Sequence, residues 1–258
     1  MTTLRAAAKL LAFVALTLPL MPVQQVLLWF FPNGARVFPH HYHQLLCRLF
    51  SIRLNITGTV PARGACLVIS NHVSWLDVVI LSAVMPLSFV AKREVSHWPF
   101  FGTLARLQRT VFVDRERRHT TAKVADSVAG RLAAGEAIVL FGEGTSHDGA
   151  SVLPFKSSLF AAATAPHIDI VPITLAYRSI WGLPMSRRER PSFAWYGDMN
   201  LMSHLWNFMG EGPLGVTVVI HEALSVETGL NRKTAAEVSE KAIRQGLVAA
   251  LHGTPDLR

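Results

Sequence analysis

His72 and Asp77 stand five positions apart in Asn71-His72-Val73-Ser74-Trp75-Leu76-Asp77, directly after the apolar run Leu67-Val68-Ile69. An imidazole and a carboxylate so related suit the activation of a hydroxyl group. An alcohol holds its proton at neutral pH, so it attacks an acyl carbon only if a base takes that proton as the bond forms. Histidine titrates near neutrality and can take the proton and then release it. A carboxylate on the other ring nitrogen fixes the tautomer and stabilises the imidazolium. On a regular helix a five-residue offset puts the two side chains on different faces. The pair therefore needs His72 in a turn and Asp77 in the first turns of the helix that follows. The plainer alternative is a His72 that caps a helix or satisfies a core hydrogen bond.

A second polar cluster, Phe141-Gly142-Glu143-Gly144-Thr145-Ser146, also follows an apolar run, Ala137 to Phe141. Two glycines around a glutamate let the backbone come close to a ligand. A dinucleotide fingerprint is excluded, because the third glycine position holds His147. The chain has no Gly-x-Ser-x-Gly elbow and no Walker-type loop. The alternative is a polar strand-to-loop turn without a ligand.

These residues need elements to hold them. Short apolar or alternating runs predict strands at Ile52–Thr57, Ala65–Ile69, Ser88–Ala91, Val111–Val113, Ala137–Phe141, Ile170–Ala176, Ser192–Tyr196 and Val216–Ile220. Helical periodicity and caps predict helices at His40–Phe50, Val78–Met85, Trp98–Leu107, Thr120–Ala134, Ser157–Ala165 and Asn231–Leu251. Strand and helix alternate, so the expected fold is α/β: a central, mostly parallel or mixed sheet flanked by helices. No internal repeat or linker divides it. The expected division is a membrane-attachment segment, residues 1–50, and a catalytic domain, residues 51–258.

The attachment segment follows from charge. From Leu10 to Ala35, 26 residues carry no charged side chain, and about 20 suffice to cross a hydrocarbon core. The run exceeds the apolar core of a secretion signal and has no clear cleavage site. Pro19 and Pro22 fit either a kinked spanning helix or a hairpin lying in one leaflet. The chain carries a net charge of +8 and a pI near 10.1, which favours anionic partners. Nucleic acid is not expected, since zinc spacing, helix-turn-helix and ribonucleoprotein patterns are lacking. An anionic membrane surface is. The clusters Arg115-Glu116-Arg117-Arg118 and Arg187-Arg188-Glu189-Arg190 are either solvated faces or headgroup contacts worth about 1 kcal/mol per basic residue. Trp181, Trp195 and Trp206 are read as core residues in preference to interfacial ones. Cys47 and Cys66 have no metal-ligand spacing and read as reduced and buried.

The two clusters resemble the first and third blocks of the glycerolipid/lysophospholipid acyltransferases. Arg109-Thr110-Val111-Phe112-Val113-Asp114-Arg115 resembles their second block, and Val171-Pro172-Ile173 their fourth. The resemblance runs from Ile52 to Leu224. It implies a membrane-bound O-acyltransferase at the cytoplasmic face of the inner membrane. The enzyme would move a fatty acyl chain from acyl-CoA or acyl-carrier protein to the hydroxyl of a lysolipid, without metal or cofactor. His72 would be the base and Asp77 its orienter. Glu143, Gly144 and Thr145 would bind the acceptor and Arg115 would meet its anionic group, while Lys92 is either a second cation near the site or a solvated lysine at a strand end. The family's third block often continues with arginine, where this chain has Ser146, a hydroxyl in place of a guanidinium fork. The run Asp148 to Ser158 resembles a bacterial branch that includes lyso-ornithine lipid acyltransferases. The expected acceptor is therefore 1-acylglycerol-3-phosphate or lyso-ornithine lipid. The rival expectations are a non-catalytic lipid-binding protein on the same fold and a thioester hydrolase.

Overall fold

A computed structural model describes residues 2–61, 65–113, 118–164, 168–224 and 231–253. The charge-free segment lies within two helices, α1 (Thr2–Phe30) and α2 (Pro32–Leu49), broken at Phe31. Their contacts are antiparallel: the Thr17 and Tyr42 hydroxyls share a 2.7 Å hydrogen bond, and Gln24 reaches Ala35. The segment is thus a helical hairpin. In α2, Pro39 removes the N–H that would serve the Ala35 carbonyl. Gln24 Nε2 serves it instead at 3.0 Å, and also donates to the Leu107 carbonyl at 2.9 Å.

The rest is one sheet with its helices. Its strands are β1 (Ile52–Thr57), β2 (Cys66–Ser70), β3 (Ser88–Lys92), β4 (Val111–Val113), β5 (Ala137–Phe141), β6 (Asp169–Ile180), β7 (Leu183–Pro184) and β8 (Leu214–Ile220). They lie in the order β1-β8-β6-β2-β5-β3-β4, with β7 on β6. Along that order only β6 and β8 pair antiparallel; the other neighbours are parallel. The helices α3 (Leu76–Val84), α4 (Phe101–Leu107), α5 (Arg118–Ala133), α6 (Leu201–Gly210) and α7 (Arg232–His252) complete the fold.

Every residue of β2 is buried, as expected of a strand covered on both faces. Its side chains alternate between two apolar clusters. Cys66 and Val68 join the cluster of α1, α2, α3 and α6. Leu67 and Ile69 join that of α5 and α7. β2 is therefore clamped between β6 and β5 and between two helical layers, and its carboxyl end is a fixed platform.

The structure departs from the sequence reading at three places. Ser192–Tyr196 is not a strand: it is the end of a 3₁₀ turn (Arg190–Ser192) followed by irregular chain. There Phe193 and Ala194 are buried, and the Trp195 N–H donates to the Val73 carbonyl at 2.9 Å. The helix α6 was not anticipated, although Asn200 caps it by accepting from the Ser203 N–H at 3.0 Å. Ser157–Thr164 is helical, but of 3₁₀ type.

Candidate active site

The strand β2 ends at Ser70 and α3 begins at Leu76, so His72 occupies the turn and Asp77 the first helical turn. His72 Nδ1 lies 2.8 Å from Asp77 Oδ2. The same oxygen accepts from the backbone N–H groups of Val73 (2.6 Å) and Ser74 (2.9 Å). These donors belong to the turn ahead of α3, and Asp77 itself lies in the first turn of the helix, where negative charge is favoured. Asp77 Oδ1 accepts from the Tyr177 hydroxyl at 2.7 Å. Burial, and then the Asp77 charge, push the Tyr177 phenol well above its ordinary value, so it remains a donor. The Asp77 side chain is fully buried, while that of His72 keeps 20% of its surface. Both oxygens of the Asp77 carboxylate are thus engaged, and His72 Nε2 is the ring nitrogen that this network leaves free.

The turn is fastened from several directions. Asn71 Nδ2 donates to the Leu175 carbonyl (2.9 Å), and Asn71 Oδ1 accepts from the Leu175 N–H (2.8 Å). The side-chain amide imitates one more rung of the β2–β6 ladder. The Phe141 ring stacks on the His72 imidazole with centroids 3.9 Å apart and planes at 14°. The His147 N–H donates to the His72 carbonyl at 3.2 Å.

The second cluster turns at the end of β5, beside β2. A side chain at Gly142 would collide with the Phe155 ring, and Gly144 has φ +67°. Glycine fits both places for those reasons. The Glu143 carboxylate is fully buried, with His147 Nε2 3.0 Å from Oε2. That approach pairs the charges, yet neither Glu143 oxygen has a well-aligned hydrogen-bond donor among the described residues. Burial raises the Glu143 carboxyl above its ordinary value, with His147 and His72 only partly offsetting it. Burial pulls His147 down, but Glu143 and Asp148 outweigh it, and its imidazole sits above the ordinary value.

A cavity of about 690 Å³ opens at the site. His72, Lys92, Gly144, Thr145 and Ser146 line its polar end, and it continues between apolar side chains to Phe13, Leu20 and Met21 of α1. Of the expected residues, His72, Asp77, Lys92 and Glu143 to Ser146 thus gather at one place, with Glu143 behind the wall. Lys92, at the end of β3, and Thr145 are exposed. Arg115 lies outside the described residues. Tyr177 and Phe141 were missed as site residues. The signal for Tyr177 was a lone phenol closing a buried apolar run, since a buried hydroxyl needs a partner.

The family description Acyltransferase matches residues 51–176. The chain is 42% identical over 258 aligned residues to the lyso-ornithine lipid O-acyltransferase of Brucella abortus (strain 2308), covering 97% of each chain. The chain belongs to the acyltransferase family. This acyltransferase is also 35% identical over 152 residues to the 1-acyl-sn-glycerol-3-phosphate acyltransferase of Neisseria gonorrhoeae, covering 59% of this chain and 57% of that one. The crystal structure of the 1-acyl-sn-glycerophosphate acyltransferase of Thermotoga maritima shares its fold. The TM-score is 0.72 at 16% identity, over 98% of this chain and 96% of that one.

Proposed function

We propose that the acyltransferase moves a fatty acyl chain from acyl-CoA or acyl-carrier protein to the hydroxyl of a lysolipid, with lyso-ornithine lipid as the acceptor. The observation that carries this is the bond from His72 Nδ1 to a fully paired Asp77 at the mouth of an apolar cavity. With Nδ1 so engaged, Nε2 takes the acceptor hydroxyl proton as its oxygen bonds to the thioester carbonyl carbon. The carbon–sulfur bond then breaks, and the imidazolium returns the proton to the thiolate. The products are an ester and a free thiol. The cavity volume falls within the range of small-molecule sites, and its apolar walls suit the acyl chain. Glu143, Gly144, Thr145 and Ser146 shape the acceptor side, and Lys92 and Arg115 meet its anionic group. Ser146, in place of a guanidinium, favours a headgroup other than a phosphomonoester. The full-length similarity to the Brucella protein supports the same acceptor.

In the same reading residues 1–50 attach the enzyme to the membrane and residues 51–258 hold the chemistry. The helix α1 is apolar on both sides. Its inner side buries Ala6, Phe13, Thr17 and Gln24, while Leu4, Leu11, Leu18, Val26 and Trp29 are exposed. Such an outer stripe suits hydrocarbon. Contacts from Ala6 to Gln24 hold about 27 Å of the helix against the domain. A crossing helix would drag α6 and α4 into the lipid, so we place α1 within one leaflet at the cytoplasmic face.

The test is acyl transfer by purified protein in detergent, with lyso-ornithine lipid and lysophosphatidic acid compared as acceptors. His72→Ala is expected to lose roughly 10²–10⁴ of the rate; retention of most activity would refute the mechanism. Fatty acid released without acceptor would instead indicate a hydrolase, and binding without turnover a lipid-binding protein.

A further inference from the structure

The turn between β6 and β7 carries an expensive residue. Ile180 pairs with Leu183, leaving Trp181 and Gly182 as a two-residue hairpin loop with φ +56° and +80°. Such a loop needs left-handed backbone at both positions, and Asn-Gly is its favoured sequence. A tryptophan there is strained, and strain of this kind persists where surrounding contacts enforce it. Those contacts come from two sides. The Arg5 guanidinium of α1 sits 4.9 Å from the indole centroid, and the ring lies against Gly212, where any side chain would strike it. Even so, Trp181 is 58% exposed and Leu183 68% exposed. This differs from the core placement expected of Trp181.

The exposed tip continues a larger apolar face. The first turns of α1 are tied to the end of α6: Arg5 Nη1 donates to the Gly210 carbonyl (3.4 Å) and Lys9 Nζ to the Glu211 carbonyl (3.2 Å). On α6, Met202 and Trp206 are 52% and 40% exposed, and their spacing places them on one side of the helix. Arg187 and Arg188 follow the hairpin and are exposed. The nearby Glu189 carboxylate accepts from the Ser186 N–H at 2.7 Å.

We propose that the Trp181–Leu183 tip and the outer side of α6 form a second bilayer-docking element. It would enter the headgroup boundary of an anionic membrane alongside α1. The partner is the lipid surface itself: an aromatic and aliphatic tip for the acyl boundary, basic residues for the phosphates, and direct continuity with the apolar stripe of α1. This rests on the reading of α1 as the helix that lies in the leaflet.

The experiment uses the full chain in vesicles of phosphatidylglycerol and phosphatidylcholine, with an environment-sensitive thiol label at Leu183→Cys, Met202→Cys, Leu11→Cys or Val248→Cys. Cys47 and Cys66 are buried, with thiols pushed up to about 12, so they do not compete for the label. Val248 is exposed on α7, which packs on the opposite sheet face from α1 and α6. Labels at 183 and 202 are expected to shift to the blue and to be quenched by headgroup spin labels, as at 11, while 248 stays unchanged. Labels at 183 and 202 that behave like 248 while 11 is quenched overturn the docking element alone. An unquenched 11 overturns the α1 reading and this proposal with it. A second variant, Trp181→Asn, puts a favoured residue in the strained position. It should keep or raise the Tm yet bind vesicles about tenfold more weakly, as expected for withdrawing one large apolar side chain. A lower Tm with unchanged vesicle binding would show that the indole serves the fold, and would overturn the proposal.

Discussion

The Asp77 carboxylate receives four donors, and each contributes differently to holding the His72 turn. The His72 ring sets the tautomer, the Val73 and Ser74 amides hold the turn, and Tyr177 fixes the other oxygen. Tyr177→Phe removes one donor and leaves a buried carboxylate oxygen unpaired. Such a loss costs about 1–3 kcal/mol of stability, which denaturant unfolding would measure. Because Asp77 is then held through Oδ2 alone, kcat should fall while KM for the acceptor holds; a change in stability alone would assign Tyr177 a purely structural part. The Glu143–His147 pair gives a pH signature. The His147 imidazole is held above its ordinary value of 6.5. Its contribution to stability is therefore whole below that value and is lost as pH rises through the higher folded value. Glu143, also raised by burial, pushes in the same direction. Melting temperatures measured from mildly acid to mildly alkaline pH should decline, and His147→Gln should flatten that decline.

At the level of elements, Gln24 joins three helices through one amide. Gln24→Met leaves the Ala35 and Leu107 carbonyls without their donor, and thermal unfolding in detergent should show a loss of about 1–3 kcal/mol. The strand–turn–helix that carries His72 and Asp77 was legible in the sequence because its logic is local: an apolar run, a turn, and a carboxylate in a first helical turn. The Glu143 turn was legible for the same reason, through its two glycines. Tyr177 was not, because its partner lies 100 residues away and only the β2–β6 pairing brings them together. A register shift in β6 directly after Tyr177 belongs to the same local geometry, and strand periodicity gives no sign of it. The misread segment Ser192–Tyr196 has strand-like alternation, but it meets the Val73 carbonyl through Trp195 and joins no ladder. The helix α6 had its cap at Asn200 and an apolar face in plain view. Its Met and Trp pointing outward obscured the usual contrast between inside and outside.

In the molecule as a whole the sheet divides two environments. One layer, α1, α2, α3 and α6, holds the apolar stripe and the cavity; the other, α5 and α7, packs against the far face. The α/β class was readable from alternation and the apolar segment from its absence of charge, but the hairpin was left open beside a spanning helix, and its break falls at Phe31 while α1 runs on through Pro19 and Pro22. The strand order was not, since it depends on pairings between distant segments. Phe13, Thr17, Leu20, Met21 and Gln24 of α1 border the same hollow as His72. The helix α1 is therefore no detachable leash. Amputating it to obtain an easily handled protein would open a flank of the reaction chamber to bulk water, and the remnant would be a breached vessel.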